Sequence, residues 1–180
     1  MKSSLTLLLL FLSVGSLGAQ TEKQRADSGR RSEFSVNQGR HTAKLILISR
    51  RFVPSAHTIV RTKDCLTIDG RRPIGTDCTV PGLEIASLRL FIDGKEVFIP
   101  RTLYSDCYSP PFAEGIQQGN SVALKFSDDL KGVFVFLAGG DGAGVYDAIW
   151  IIRKDGRHSR FTNSGGDCLF LNFDCSPDPR

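Results

Sequence analysis

The chain has 180 residues, five cysteines and a formal net charge of +4, but the positive charge is not concentrated in one region. Residues 20–40 hold five basic and three acidic side chains, which leaves the remainder nearly neutral. A nearly neutral domain is not typical of nucleic-acid-binding proteins, which present a concentrated basic face to the phosphates. The length suits one domain with its own hydrophobic core.

The N-terminus has the pattern of a cleavable leader. Lys2 precedes an almost wholly apolar run at residues 5–14, and a run containing small residues follows at 16–19. This order predicts a signal peptide over residues 1–19. The alternative is a transmembrane anchor, but a run of about ten residues is shorter than the ~20 needed to span a bilayer. We therefore expect an exported protein, secreted or periplasmic, without a transmembrane segment in its mature chain.

The polar segment at residues 20–40 lacks apolar periodicity up to Phe34, which predicts a disordered polar lead-in. A single β domain is expected over residues 41–175. A flexible tail is expected at 176–180, where two prolines occur.

Short apolar runs alternate with Gly, Asp and Asn turns throughout the domain. This spacing predicts an all-β fold with little helix, either an antiparallel β-sandwich or, as the alternative, a closed β-barrel. No stretch of helical periodicity is long enough to compete. Strands are predicted at residues 42–49, 57–62, 84–92, 95–100, 121–127, 132–138, 145–153, 158–162 and 168–173.

The Asp93-Gly94 step fits a two-residue type I′ hairpin turn, which requires positive φ at both positions. That turn places Leu90 opposite Val97 and Leu88 opposite Ile99 on one face. The Ile-Asp-Gly string also occurs at 68–70. We interpret it as repeated turn chemistry, because the surrounding residues do not align into a repeat.

A second hairpin is predicted to turn at Asp155-Gly156. It places Trp150 opposite Phe161 as an aromatic cross-strand pair and puts Trp150 on the core face. The run at residues 132–138 is apolar on both faces. Such a strand is usually central and covered on both sides, and the alternative is that one face meets a partner.

Five cysteines leave at least one outside any internal disulfide. Cys65 and Cys78 flank a turn-rich segment and are predicted to pair. Cys168 and Cys175 are about 23 Å apart if the strand between them is extended, whereas a disulfide needs Cα atoms within about 7 Å. Cys107 is therefore predicted to pair with Cys168 or Cys175. The fifth cysteine is a buried inert thiol or a link between chains, and no spacing indicates a metal site.

Three segments are candidates for binding. The first is the stiff aromatic loop with Tyr104, Tyr108 and Phe112, whose rings suit a recognition surface or else cap the sandwich. The second is the glycine-rich loop at 139–144 with Asp141. A strand rather than a helix follows this loop, which disfavours nucleotide binding.

Asp141 together with Asp147 offers oxygen ligands for calcium, but the plainer interpretation is a strand-connecting loop. The third candidate is the basic hairpin end with Arg153 and Arg157. It would meet an acidic partner or, more simply, keep a sheet edge soluble. No cofactor motif is present.

Catalytic signatures are also absent from the sequence. The least implausible assembled site would combine His158 with Asp141 or Asp147, and with Cys107 or Ser159 as nucleophile. The leading hypothesis is a non-enzymatic binding module that holds a protein or cell-envelope partner through its loops or its second apolar face. The alternatives are a small exported hydrolase around His158, and a structural envelope or matrix protein linked through its odd cysteine.

Overall fold

The computed structural model describes residues 29–110, 122–141 and 144–164. The predicted signal peptide, the predicted strand at 168–173, the tail and Phe112 lie outside these ranges. The described chain is nearly all β, with two short 3-10 segments at Pro54–Ala56 and Arg101–Leu103. Neither segment is long and apolar enough to cross a membrane.

The described strands, in chain order, are β1 (Arg30–Gln38), β2 (His41–Arg51), β3 (Ile59–Arg61), β4 (Leu66–Ile68), β5 (Leu83–Ile92), β6 (Lys95–Val97), β7 (Val122–Phe126), β8 (Gly132–Gly139), β9 (Tyr146–Arg153) and β10 (His158–Ser164). The strands predicted within the described ranges are present. β1 and β4 were not predicted.

These strands form an antiparallel β-sandwich, as predicted, rather than a closed barrel. The first sheet has the order β1-β2-β5-β6, and the second has the order β10-β9-β8-β7. A two-stranded ribbon, β3-β4, lies in the connection between β2 and β5. Each sheet is built from one continuous part of the chain: residues 30–97 form the first and residues 122–164 form the second.

The core lies between the inner faces of the two sheets. Alternate residues of β8 and β9 point inward, as the two-residue period of a strand requires. Trp150, at the middle of β9, is fully buried, and its Nε1 donates to the carbonyl of Leu103 at 3.1 Å. The facing inner residues of the first sheet include Leu45, Leu47 and Leu90.

Part of the disordered lead-in predicted for residues 20–40 is ordered, while residues 20–28 lie outside the described part of the chain. Residues 30–38 form β1, which pairs with the apolar strand β2 so that Phe34 lies opposite Leu45. Ser32, Phe34 and Val36 are half-buried, and the residues between them are exposed. Only two of these inward positions are apolar, so the alternation that marks a strand was too weak to recognise. For residues 30–38 the prediction of disorder was wrong, because pairing with β2 stabilises a strand whose own sequence pattern is weak.

The first predicted hairpin is confirmed. Asp93 and Gly94 have φ of 50° and 78°, and Leu90 lies opposite Val97. The pairing ends at Val97, so the second predicted pair, Leu88 with Ile99, is not part of the ladder.

The second hairpin differs from the prediction by one residue. The amide of Arg153 donates to the carbonyl of Arg157 at 2.9 Å, which leaves a three-residue loop with Gly156 at φ 87°. Three-residue loops of this kind place glycine in the left-handed region at their end. The extra loop residue moves Phe161 to the position opposite Ile149, and Trp150 pairs with Arg160 instead. Because a slip of one residue changes the face, Phe161 lies on the outer face of the sheet.

Candidate functional site

The aromatic loop is part of the core rather than of the surface. Tyr104 and Tyr108 are both buried. Tyr108 contacts the ring of Phe52 edge-on, with the centroids 5.6 Å apart. Burial raises the pKa of Tyr108, and the nearby carboxylates raise it further. The exposed aromatic surface that the sequence suggests at these two positions is therefore not present.

A buried carboxylate holds this loop in place. Asp106 accepts hydrogen bonds from Arg160 of β10 and forms an ion pair with Arg71 at 2.8 Å. The guanidinium of Arg71 also donates to the carbonyl of Thr102 at 2.8 Å. These contacts tie the loop to the second sheet and to the segment after β4. They explain why its tyrosine rings face inward.

The predicted Cys65–Cys78 disulfide is present, with its Cα atoms 5.0 Å apart. Cys107, by contrast, carries a free and buried thiol, not the disulfide predicted for it. Its predicted partners, Cys168 and Cys175, lie outside the described residues. Burial raises the pKa of the Cys107 thiol to about 12, and Asp106 contributes in the same direction. A thiol with this pKa is protonated at neutral pH and is a poor nucleophile.

The other two binding candidates are the glycine-rich loop and the basic hairpin end. Their charged side chains already contact residues of the chain itself. Asp141 accepts a hydrogen bond from the Ser109 hydroxyl at 3.2 Å, and its amide donates to the carbonyl of Gly75. Within the described ranges no cluster of three metal-ligating side chains occurs. At the basic hairpin, Arg153 pairs with Asp129 at 2.8 Å and Arg157 pairs with Asp155 at 2.7 Å.

The structure does not bring His158 and Asp147 of the predicted catalytic set together. His158 begins β10 opposite Ile152, whereas Asp147 lies opposite Asn163 at the other end of the same strand pair. Five residues of extended strand separate the two positions by about 16 Å. The Nδ1 of His158 lies 3.2 Å from the carbonyl of Gly156. The Cys107 thiol is buried.

The outer face of the second sheet carries a continuous apolar surface. We call this surface the outer apolar face, and its residues are Phe134, Phe136, Ile149, Ile151 and Phe161. The strand register places Phe136, Ile149 and Phe161 in one row across β8, β9 and β10. The rings of Phe134 and Phe136 are stacked with their centroids 6.3 Å apart. Phe161 is 56% exposed, and the other four are half-buried.

One end of this face holds a buried carboxylate. Asp147 lies on the same side of β9 as Ile149 and is only 4% exposed. Burial raises the pKa of Asp147. Among the described residues, no side chain forms an ion pair with this carboxylate. The other end of the face is basic, since Lys125 lies opposite Phe134 and is exposed.

Sequence reasoning identified one half of this surface, the doubly apolar strand β8. It missed the contribution of Phe161, because the hairpin register was predicted one residue out. It also missed the side-chain cluster around His57, whose members come from separate parts of the chain.

Compared with protein-family models, with curated proteins and with solved structures, the chain shows no match to any of them.

Proposed function

We propose that this chain is an exported, non-enzymatic β-sandwich that binds a protein partner through the outer apolar face. The observation that carries the proposal is Phe161, a large aromatic ring that is 56% exposed in register with Ile149 and Phe136. Continuous apolar surface with a polar rim is typical of protein interaction sites. Exposed rings of this kind supply much of the binding energy at such interfaces.

The charges around the face indicate the chemistry of the partner. A nearly buried carboxylate that forms no ion pair with the described residues is unfavourable, because within that part of the chain it has lost solvation without gaining a counter-charge. The raised pKa of Asp147 reflects this loss. An arginine or lysine of the partner, brought to Asp147 within an otherwise apolar contact, would supply the missing charge. We therefore expect the partner to present an apolar surface with one basic side chain.

Export is supported by the Cys65–Cys78 disulfide together with the leader pattern of residues 1–19. Disulfides persist in the periplasm and outside the cell, and they are rare in the reducing cytosol. The hydrolase alternative has no support from the position of His158. The covalently linked structural alternative has none from Cys107, which is buried.

The test compares variants in a capture experiment. The full chain is expressed with its own leader, recovered after export and used to retain partners from a native envelope or secretion extract without reductant. The variant is Phe161→Asp, and the matched control is Phe98→Asp, a ring 77% exposed beyond β6 of the other sheet. Retained proteins are identified by mass, and the thermal unfolding of each variant is recorded.

We expect one protein to be retained in equal amount by the wild type and by Phe98→Asp. We expect Phe161→Asp to weaken this binding by about 30-fold, the effect of losing one strong interface residue, while its melting temperature is unchanged. Asp147→Asn should weaken the same binding. Equal retention by the wild type and by Phe161→Asp would contradict the proposal, as would a wild-type chain that retains nothing.

A further inference from the structure

His57 lies in a buried cluster under the β3-β4 ribbon, outside the face discussed above. Its side chain is 7% exposed, and its ring stacks on Phe52 with the centroids 4.5 Å apart. Both ring nitrogens face carboxylates. Nδ1 lies 2.7 Å from Oδ2 of Asp69, in the turn of the ribbon, and Nε2 lies 3.4 Å from Oε2 of Glu84, in β5. The imidazole therefore lies between the ribbon and the first sheet.

The two ring nitrogens differ in whether they carry a proton when the imidazole is neutral. A neutral imidazole has one N–H, whereas an imidazolium donates from both nitrogens. With one N–H directed at Asp69, the Nε2 of neutral His57 presents a lone pair to a carboxylate. Nε2 is buried and has no hydrogen-bond partner among the described residues. A second proton on the ring converts this unfavourable contact into an ion pair.

We propose that His57 is a proton-operated clasp: its imidazolium form bridges Asp69 and Glu84 and holds the β3-β4 ribbon on the first sheet, and loss of the proton releases the Glu84 side. Histidine is the side chain that ordinarily changes charge between about pH 5 and pH 8. The ribbon is thus held more tightly while both ring nitrogens of His57 carry a proton than after one of these protons is lost.

The other charged groups around the ring agree with this assignment. Arg50 of β2 donates to Glu84 at 2.6 Å. Apart from the imidazole itself, the groups in direct contact therefore carry one positive charge, on Arg50, and two negative charges, on Glu84 and Asp69. Arg101 acts on Asp69 more weakly, as the smallest of the influences on the pKa of that carboxyl. Tyr108, from the loop after Arg101–Leu103, stays protonated because burial raises its pKa. Asp106, near Tyr108, has its own arginine partners. One negative charge in the cluster remains for the imidazolium to balance.

A disulfide and a small hydrophobic core hold the ribbon together, so that it should open as one unit. The Cys65–Cys78 disulfide joins the start of β4 to the segment that leads back towards β5. Phe52, Leu66, Ile68 and Tyr108 form a small separate core beneath it. Because this core is small, a change in one ion pair alters the opening of the ribbon without unfolding the main sandwich.

The chain contains its own control. His41 makes the same first contact, with Nδ1 3.0 Å from Oδ2 of Asp93. In the described structure its imidazole has only that carboxylate partner. Asp93 is also bound by Lys154 at 2.8 Å, so the negative charge at this clasp is already balanced. Loss of a proton from His41 is therefore not expected to change the opening of the ribbon or of the turn at Asp93.

The experiment measures hydrogen exchange of the full chain at about pH 5 and about pH 8, the two ends of the usual histidine range. Rates are corrected for the intrinsic effect of pH. The reporters are three ribbon amides that donate to backbone carbonyls, those of Thr62, Ile68 and Asp69. Nitrogen NMR of the chain's three histidines records the protonation state of His57 in the same samples.

We expect the ribbon amides of the wild type to open about tenfold more at the higher pH, since one charge-assisted hydrogen bond is lost. His57→Gln should remove the pH dependence, and His41→Gln should keep it. Glu84→Gln is the decisive variant, because its side-chain amide can donate to neutral Nε2. It should leave the ribbon closed at both pH values. Equal protection of the wild type at both pH values would overturn the proposal, as would titration of His57 without a change in ribbon opening.

Discussion

Asp69 and Asp93 occupy the same position in two copies of one local structure. Each follows an isoleucine, precedes a glycine and has positive φ, 52° and 50°. Each carboxylate binds the Nδ1 of a histidine and the backbone amide of the threonine that follows it, at 57–58 and at 41–42 respectively. Each aspartate amide also donates to the carbonyl of that threonine at 2.8 Å. The two copies differ at the other ring nitrogen of the histidine. His57 meets a second carboxylate there, that of Glu84, whereas His41 meets none in the described structure.

Acid should destabilise the protein through these carboxylates. A hydrogen bond from Lys154, then one from His41, holds the pKa of Asp93 well below its usual range. The Ser127 hydroxyl, the Lys131 amide and Arg153 do the same for Asp129. A lowered folded-state pKa contributes stability above the unfolded value and loses it as the pH falls. The free energy of unfolding should therefore decrease steadily below about pH 5, as measured by urea unfolding.

Asp93→Asn should flatten this acid dependence. The matched control is Asp128→Asn, because Asp128 is exposed and forms no ion pair in the described part of the chain. A slope that is the same in Asp93→Asn and in the wild type would show that the Asp93 contacts do not persist in solution.

The Cys107 thiol should resist alkylation in the folded protein. Burial raises its pKa to about 12, and only the thiolate reacts at a useful rate. In a chain whose Cys168 and Cys175 are replaced by serine, iodoacetamide at about pH 8 should label Cys107 only after denaturant is added. The readout is the mass of the intact chain before and after unfolding. Rapid labelling of the native chain would mean that the thiol is accessible.

Trp150 and Phe161 should respond very differently to truncation. Trp150→Ala removes a fully buried ring and its hydrogen bond to Leu103, and should cost about 3–5 kcal/mol of unfolding free energy. Phe161→Ala alters an exposed position and should cost less than about 1 kcal/mol. If the two rings faced each other in the core, as a two-residue turn would require, both substitutions would be severe. Urea unfolding of the two variants therefore tests the hairpin register.

The Asp106–Arg160 pair should contribute strongly to stability. Arg160→Met leaves the buried carboxylate with Arg71 as its remaining arginine partner, and it should cost about 2–4 kcal/mol. Arg157→Met, in the same hairpin but exposed, should change stability by less than about 0.5 kcal/mol. Equal effects from the two substitutions in thermal unfolding would contradict a stabilising role for the buried Asp106–Arg160 pair.

The parts of the fold that were predicted correctly depend on local chemistry. The Asp93-Gly94 turn needs positive φ at two adjacent residues, and aspartate followed by glycine is a combination that favours it. Its register follows from the turn itself. At 153–157 the same residue pair occurs, but the loop has one more residue, and no local signal distinguishes the two loop types. The error moved one ring, Phe161, from the core to the surface.

The candidate sites depend on contacts between distant segments. The repeated Ile-Asp-Gly string was recognised as turn chemistry, but its histidine partners lie 12 and 52 positions away. A signal did exist, since His-Thr also occurs twice in the chain. The burial of Tyr108 had no comparable signal. It follows from pairing of its loop with Ile74 and Glu84, two residues that no local pattern connects to it.

The division of the sandwich into two continuous parts of the chain has a consequence for how the molecule holds together. In the described structure, every strand pairing lies wholly before residue 110 or wholly after residue 122. The two sheets meet through side chains and a few loop hydrogen bonds, such as those of Trp150 and Arg160. Their contact therefore resembles the interface of a heterodimer whose two members are covalently joined, which gives each sheet a high effective concentration near the other. Two separately expressed halves, divided between residues 110 and 122, would each retain all the strand pairings of their sheet that the structure describes. They would have to associate through the side chains of the core.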